Sequence, residues 1–141
     1  MRQFVFCFLL LTAAASCKRG IVSPAEDGYV HLLLGNPSQA QSDVSPPGNY
    51  LLKKPQSALS YNDAKGGANW VSWHIQPSDL GSADRQHDFR PDEELPAGFY
   101  RVKPSNYTLS GFDRGHLCPS GDRTATEVDN SATFVMSNML P

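Results

Sequence analysis

The residues best suited to chemistry lie in one short stretch, "GFDRGHLCPSGDR" at 111–123, where His116 directly follows Asp113, Arg114 and Gly115 and is soon followed by Cys118. A neutral imidazole, with an ordinary pKa of about 6.5, is a suitable base for taking a proton from water. The Arg114 guanidinium can hold a phosphate through paired hydrogen bonds. Asp113 can accept a hydrogen bond from an imidazole or a guanidinium, and Gly115 leaves room for close approach of backbone or substrate. Together they point to hydrolysis of an anionic substrate. Two other readings of the stretch are weaker. A structural zinc site takes about four nitrogen or sulfur ligands, and the chain's three cysteines, Cys7, Cys17 and Cys118, form no cluster. Cys118 as a nucleophile would need a base positioned for it.

Three further histidines are present. His31 and His74 read as ordinary surface or core residues. His87, in "ADRQHDFRPD", has Arg85, Asp88, Arg90 and Asp92 around it. That segment reads equally as a solvated loop of mixed charge and as a loop facing phosphate.

These side chains must be positioned by extended elements. "YLLKK" and "SALSYN" are short β-prone runs, the second closed by the turn-like "NDAKGG". "NWVSWHI" alternates, placing Val71, Trp73 and Ile75 on one face of a half-buried strand. "GFYRV" reads as another strand, and "TFVMSNMLP" begins as a continuous apolar run, as a strand buried on both faces would. Between "DRGH" and that run, "TATEVDNSA" predicts one helical turn capped by Thr126 and answered by Asp129. The chain reads as mainly antiparallel sheet.

With 141 residues, 40 % of them hydrophobic and 18 % charged, the chain is limited to one ordinary core. Residues 1–16 read as a signal peptide: Arg2, the apolar run Phe4–Leu11 and then small residues match an export signal and are too short to span a bilayer, which takes about 20 residues. Cleavage after Ala15 and lipidation at Cys17 within "AASC" both fit, the second attaching the protein to a membrane. Either way the expected location is exported, periplasmic or extracellular. Residues 17–48 read as an N-terminal segment and linker, with Tyr29–Leu34 a strand or short helix packed on the domain at 49–141. The net charge of −2 argues against a binder that relies on general attraction to phosphate. Any handling of nucleic acid would use a local site and a cation.

"DRGHLCPSGDRT" followed by "FVMSNMLP" resembles the DNA/RNA non-specific endonucleases, and the resemblance extends back through "NWVSWHI", "ADRQHDFRPDEELPAGFYRV" and "HLLLGNPS". It looks nearest to the exported sugar-non-specific nucleases of cyanobacteria. The resemblance implies an α+β fold of the ββα-metal (His-Me finger) type with a central antiparallel sheet, incomplete at the C-terminus. It implies that DNA and RNA are the substrates, cleaved without strong sequence preference to leave 5′-phosphate ends. It makes His116 the general base, sets Arg85 to stabilise charge on the phosphate, and has Arg114 help hold it. Asp113 would support a hydrated metal, and Asn138 would line the site from the next strand. Arg90 receives no role. The cofactor implied is one Mg²⁺ or Mn²⁺, held by an asparagine on a helix expected beyond Pro141, so no metal ligand is expected within the chain. The family commonly has a small residue where this chain has Cys118. On this reading the 141-residue chain alone is expected to be inactive. The competing expectation is a truncated inactive fragment, or an exported protein that binds phosphate or nucleic acid weakly.

Overall fold

The computed structural model describes residues 29–141; the signal segment, Cys7 and Cys17 lie outside the described residues. Three strands form the central antiparallel sheet in the order β1 (Tyr50–Lys53), β2 (Ala58–Asn62) and β3 (Gly67–Ser72). The register pairs Leu52 with Leu59 and Leu59 with Val71, and it shifts at a bulge between Ser60 and Tyr61.

Because side chains alternate across a strand, each short apolar run feeds both faces. Leu52, Leu59, Tyr61 and Ala68 point to one side, where Leu95 and Phe99 complete the core and Tyr50, Val71 and Leu117 pack against it. Leu51 and Ala58 point to the other, covered by Leu32 and Ala40, with Tyr29 and Trp70 alongside. The residues before β1 therefore supply one layer of the core, with Val30–Leu32 forming a 3-10 turn.

A second, two-stranded sheet carries the "DRGH" stretch. β4 (Gly115–His116) pairs antiparallel with β5 (Met139–Leu140), Gly115 opposite Leu140 and His116 opposite Met139. Between them runs the helix α1 (Glu127–Ala132), capped as expected: the Thr126 side chain accepts from the Asp129 amide.

Buried charges tie the layers together. Lys54, 5 % exposed, pairs with Asp92 at 3.1 Å and Glu94 at 2.8 Å, while the Ser137 hydroxyl donates to Asp92. Arg123, 3 % exposed, donates to the carbonyls of Gln56, His74 and Asp122. Removing one partner from such a set leaves an uncompensated buried charge, which costs about 3–5 kcal/mol.

Three strand expectations are corrected. "GFYRV" is not a strand. Phe99 is buried, but the Tyr100 amide donates to the Asp63 carboxylate and Arg101 to the carbonyls of Asp92 and Leu95, so side chains and turns replace a ladder. "TFVMSNMLP" is buried as expected yet broken: Val135 makes one parallel bridge to Arg90, Met136–Asn138 form a 3-10 turn, and only Met139–Leu140 are strand. β3 ends at Ser72, so Trp73 and Ile75 do not share a strand face with Val71 and Ile75 is 45 % exposed. After Ser72 the chain peels away, because the His74 amide donates to His31 Nδ1 and Trp73 Nε1 donates to Asp122.

Candidate active site

His116 is aimed by its neighbour. Leu117 packs into the core beneath the central sheet, and alternation turns His116 to the opposite side. Gly115 is required by the partner strand: a Cβ there would lie 3.1 Å from the Leu140 carbonyl. The next residues are held by Asn138. Its backbone carbonyl accepts from the Leu117 amide, its Oδ1 accepts from the Cys118 amide, and its Nδ2 donates to the carbonyls of Cys118 and Thr133, each at 2.9 Å. Asn138 is 3 % exposed, so its amide fixes the segment carrying His116 and is turned away from the surface.

Three expected site residues meet on two phenylalanines. Phe134, fully buried, has the His116 ring edge-on at 4.7 Å and the Arg85 guanidinium at 4.9 Å. Phe89 stands edge-to-face against Phe134 at 4.9 Å, contacts His116 at 5.8 Å and carries the Arg114 guanidinium at 4.1 Å. Cation–π contacts of this kind place a guanidinium against the face of a ring. His87 also approaches Phe134, at 6.0 Å, with its backbone in the left-handed region (φ 53°) and its side chain exposed.

The loop bearing Arg85 is pinned at two points. Buried Asn130 accepts from the Gln86 amide at 3.0 Å and donates to the carbonyls of Ser120 and Arg123. Farther along, the Arg90 amide donates to the Phe134 carbonyl and the Met136 amide to the Arg90 carbonyl. Arg85 also donates to the Ser120 hydroxyl. Arg90 itself pairs with Asp88 at 2.7 Å and donates to the Ser131 carbonyl, a rim position.

Burial between the rings, then the nearby Arg85 charge, lower the His116 pKa to about 4. The ring is therefore an uncharged base at neutral pH. Its Nε2 is sealed from solvent and has no hydrogen-bond partner among the described residues. The residue is only half-buried, so Nδ1 is the nitrogen that water can reach. Asp113 is exposed and bonds to neither His116 nor Arg114; it shares a shallow hollow with Arg114, Phe112 and Tyr107. Cys118 is buried, and burial raises its thiol to about 11, which makes it a poor nucleophile.

The donors needed to cage a divalent ion are not gathered here: among the described residues no group of three or more His, Cys, Asp or Glu side chains converges. The described residues do not by themselves fit a protein-held cation.

Sequence reasoning brought His116, Arg85 and Arg114 to one site, and they do converge. It missed Phe89, Phe134, Asn130 and Ser120. Phe134 stood in the apolar run and read only as core, and nothing local marks an asparagine on a short helix as the anchor of a distant loop.

Comparison with known proteins finds nucleases over most of the chain. A chain from the crystal structure of the EndoG/EndoGI complex superposes with a TM-score of 0.63 and 26 % identity, over 84 % of this chain and 46 % of that one. A nuclease of Nostoc sp. is 61 % identical over 112 residues, covering 79 % of this chain and 41 % of the relative, and human mitochondrial endonuclease G is 37 % identical over 98 residues, covering 67 % and 33 %. The chain thus spans about two fifths or less of these curated relatives. The likeness to EndoG accords with an α+β, ββα-metal nuclease fold. The model for DNA/RNA non-specific endonucleases matches residues 35–141, and the chain belongs to that family.

Proposed function

We propose that this chain is part of an exported, metal-dependent nuclease that hydrolyses phosphodiester bonds in DNA and RNA without strong sequence preference. The observation that carries the reading is the seating of an uncharged His116 between Arg85 and Arg114 on two shared aromatic rings. In the proposed reaction His116 Nδ1 takes a proton from water as the oxygen attacks phosphorus. The bond to the 3′-oxygen breaks, leaving a 5′-phosphate. Arg85 faces the charge that develops on the phosphate, and Arg114 holds the phosphate from the other ring. Asp113, exposed at the rim, would support a hydrated cation bound near the site. Asn138 acts through β4, by keeping His116 in register.

The cofactor proposed is a single Mg²⁺ or Mn²⁺, which supplies neutralising charge to the phosphate. Excess EDTA is expected to abolish cleavage of plasmid DNA and total RNA by the intact protein, and added Mg²⁺ or Mn²⁺ to restore it. Turnover that persists in EDTA would refute the metal dependence. Export, with either release after Ala15 or membrane attachment through lipidated Cys17, is part of the proposal. Mass spectrometry of the mature N-terminus separates the two.

The pH dependence follows from His116. The base works only unprotonated, and with its pKa lowered to about 4 the free base persists through mildly acidic solution. Protonation then removes activity as the pH falls through that value. The acid limb of kcat/KM, which reports the free enzyme, is expected near pH 4. A limb at the ordinary imidazole value of about 6.5 would contradict the assignment.

A further inference from the structure

We propose that the hollow between Tyr107 and Phe112 is a nucleobase subsite, which takes one unpaired base of the strand whose phosphate Arg114 holds. The proposal rests on the reading of the chain as part of a nuclease, and it names what that site takes beyond the phosphate.

The hollow has a volume of about 100 Å³ and is lined by Pro104, Tyr107, Thr108, Phe112, Asp113 and Arg114. Arg114 belongs both to it and to the site already described, since its guanidinium lies over the Phe89 ring at 4.1 Å. A phosphate held by Arg114 therefore brings its attached nucleoside to the edge of the hollow. Phe112 stands two residues before Arg114, at most about 7 Å along the chain, and is 64 % exposed.

The loop itself holds that ring outward. Leu109 and Gly111 both turn through the left-handed region, at φ 56° and 84°. The Ser110 amide and hydroxyl both donate to the Tyr107 carbonyl, at 3.2 and 2.9 Å, and the Phe112 amide donates to the Ser110 hydroxyl at 3.2 Å. These bonds fix the backbone of Phe112 relative to Tyr107 before any ligand arrives, so little order is lost on binding.

Two features identify the ligand as a base. Every nucleobase has a π-face, and stacking on an aromatic ring is tolerant of sequence, as a nuclease without strong sequence preference requires. The charges of Asp113 and Arg114 offset each other at the hollow, so a second phosphate finds no net attraction there. A neutral base can instead donate an N–H to the Asp113 carboxylate. Inside a duplex both faces of a base are covered by its neighbours, and only an unstacked base is free to lie on a side chain.

Phe112→Ala in the intact protein tests the subsite with three probes: a single-stranded oligodeoxynucleotide, the same strand with abasic sites, and the duplex. The substitution is expected to raise KM about tenfold on the single strand, with kcat within about twofold. The abasic strand and the duplex are expected to stay within about twofold of the parent. Phe112→Trp, which keeps a ring, is expected to hold the parent KM. An unchanged KM on the single strand would overturn the proposal. So would an equal rise on the abasic strand, which would make Phe112 a support for Arg114 rather than a stacking surface. Fluorescence anisotropy of the labelled single strand and its abasic form, recorded in EDTA, reads the same contact without turnover. Phe112→Ala is expected to weaken binding of the first alone; equal weakening of both, or none, would overturn the subsite. Absence of cleavage by the parent protein would instead remove the nuclease reading and leave the binding comparison to decide.

Discussion

Replacing His116 with alanine is expected to lower phosphodiester turnover by roughly 10³-fold, within the range a positioned general base supplies. The effect should fall on kcat, because in the proposed mechanism Arg114 would hold the phosphate whether or not the imidazole is present. Folding should change little. The ring is half-buried, and among the described residues its Nε2 has no hydrogen bond to lose. Initial rates on plasmid DNA and on total RNA, with circular dichroism of each preparation, make the measurement. A folded alanine variant within about tenfold of the parent would remove His116 from the mechanism, since less than that is supplied by no efficient base.

Asn138→Ala is expected to be the most damaging single change to stability at the site, at roughly 3 kcal/mol or more. The truncation leaves the Cys118 amide and the Cys118 and Thr133 carbonyls without their side-chain partner. A buried polar group left unpaired costs about 1–3 kcal/mol. The loss is local in origin and wide in effect, because Asn138 joins the turn before β5 to the residues following β4. Denaturant unfolding should show a lower midpoint, with activity falling in parallel as His116 loses its register. Asn138→Asp keeps the acceptor for the Cys118 amide and loses the donors, so it should fall between parent and alanine. A midpoint unmoved in Asn138→Ala would show that backbone pairing of β4 with β5 suffices without the side chain.

How far the sequence carried the fold depends on the range of the interaction involved. β1 and β2 were legible because short β-prone runs bounded by turn residues specify extended structure locally. The start of α1 was legible because Thr126 and Asp129 form a cap within one turn. "GFYRV" failed as a strand because its backbone groups find other partners: the Tyr100 amide donates to the Asp63 carboxylate, the Tyr100 carbonyl accepts from the Tyr61 hydroxyl, and the Phe99 amide donates to the Pro96 carbonyl. "TFVMSNMLP" was read correctly as buried but not as broken, since its turn depends on where Asn138 sends its amide. Ile75 was assigned inward by alternation, yet the tie of His74 to His31 ends the strand before alternation can act.

By itself the sequence determined the chemistry available: an imidazole for a base, guanidinium groups for phosphate, glycine at the position of close strand approach, and an order of short strands that brings them near one another. Those properties belong to residue types and short spacings. Only the tertiary structure decided that Arg85 and His116 share the ring of Phe134, that Arg114 lies on Phe89, and that burial lowers the imidazole to about 4. It also turned Asn138 inward as a tie. The physical reason is that ring stacking, desolvation and buried hydrogen bonds depend on which atoms surround a group, and here the surrounding atoms come from segments far apart along the chain.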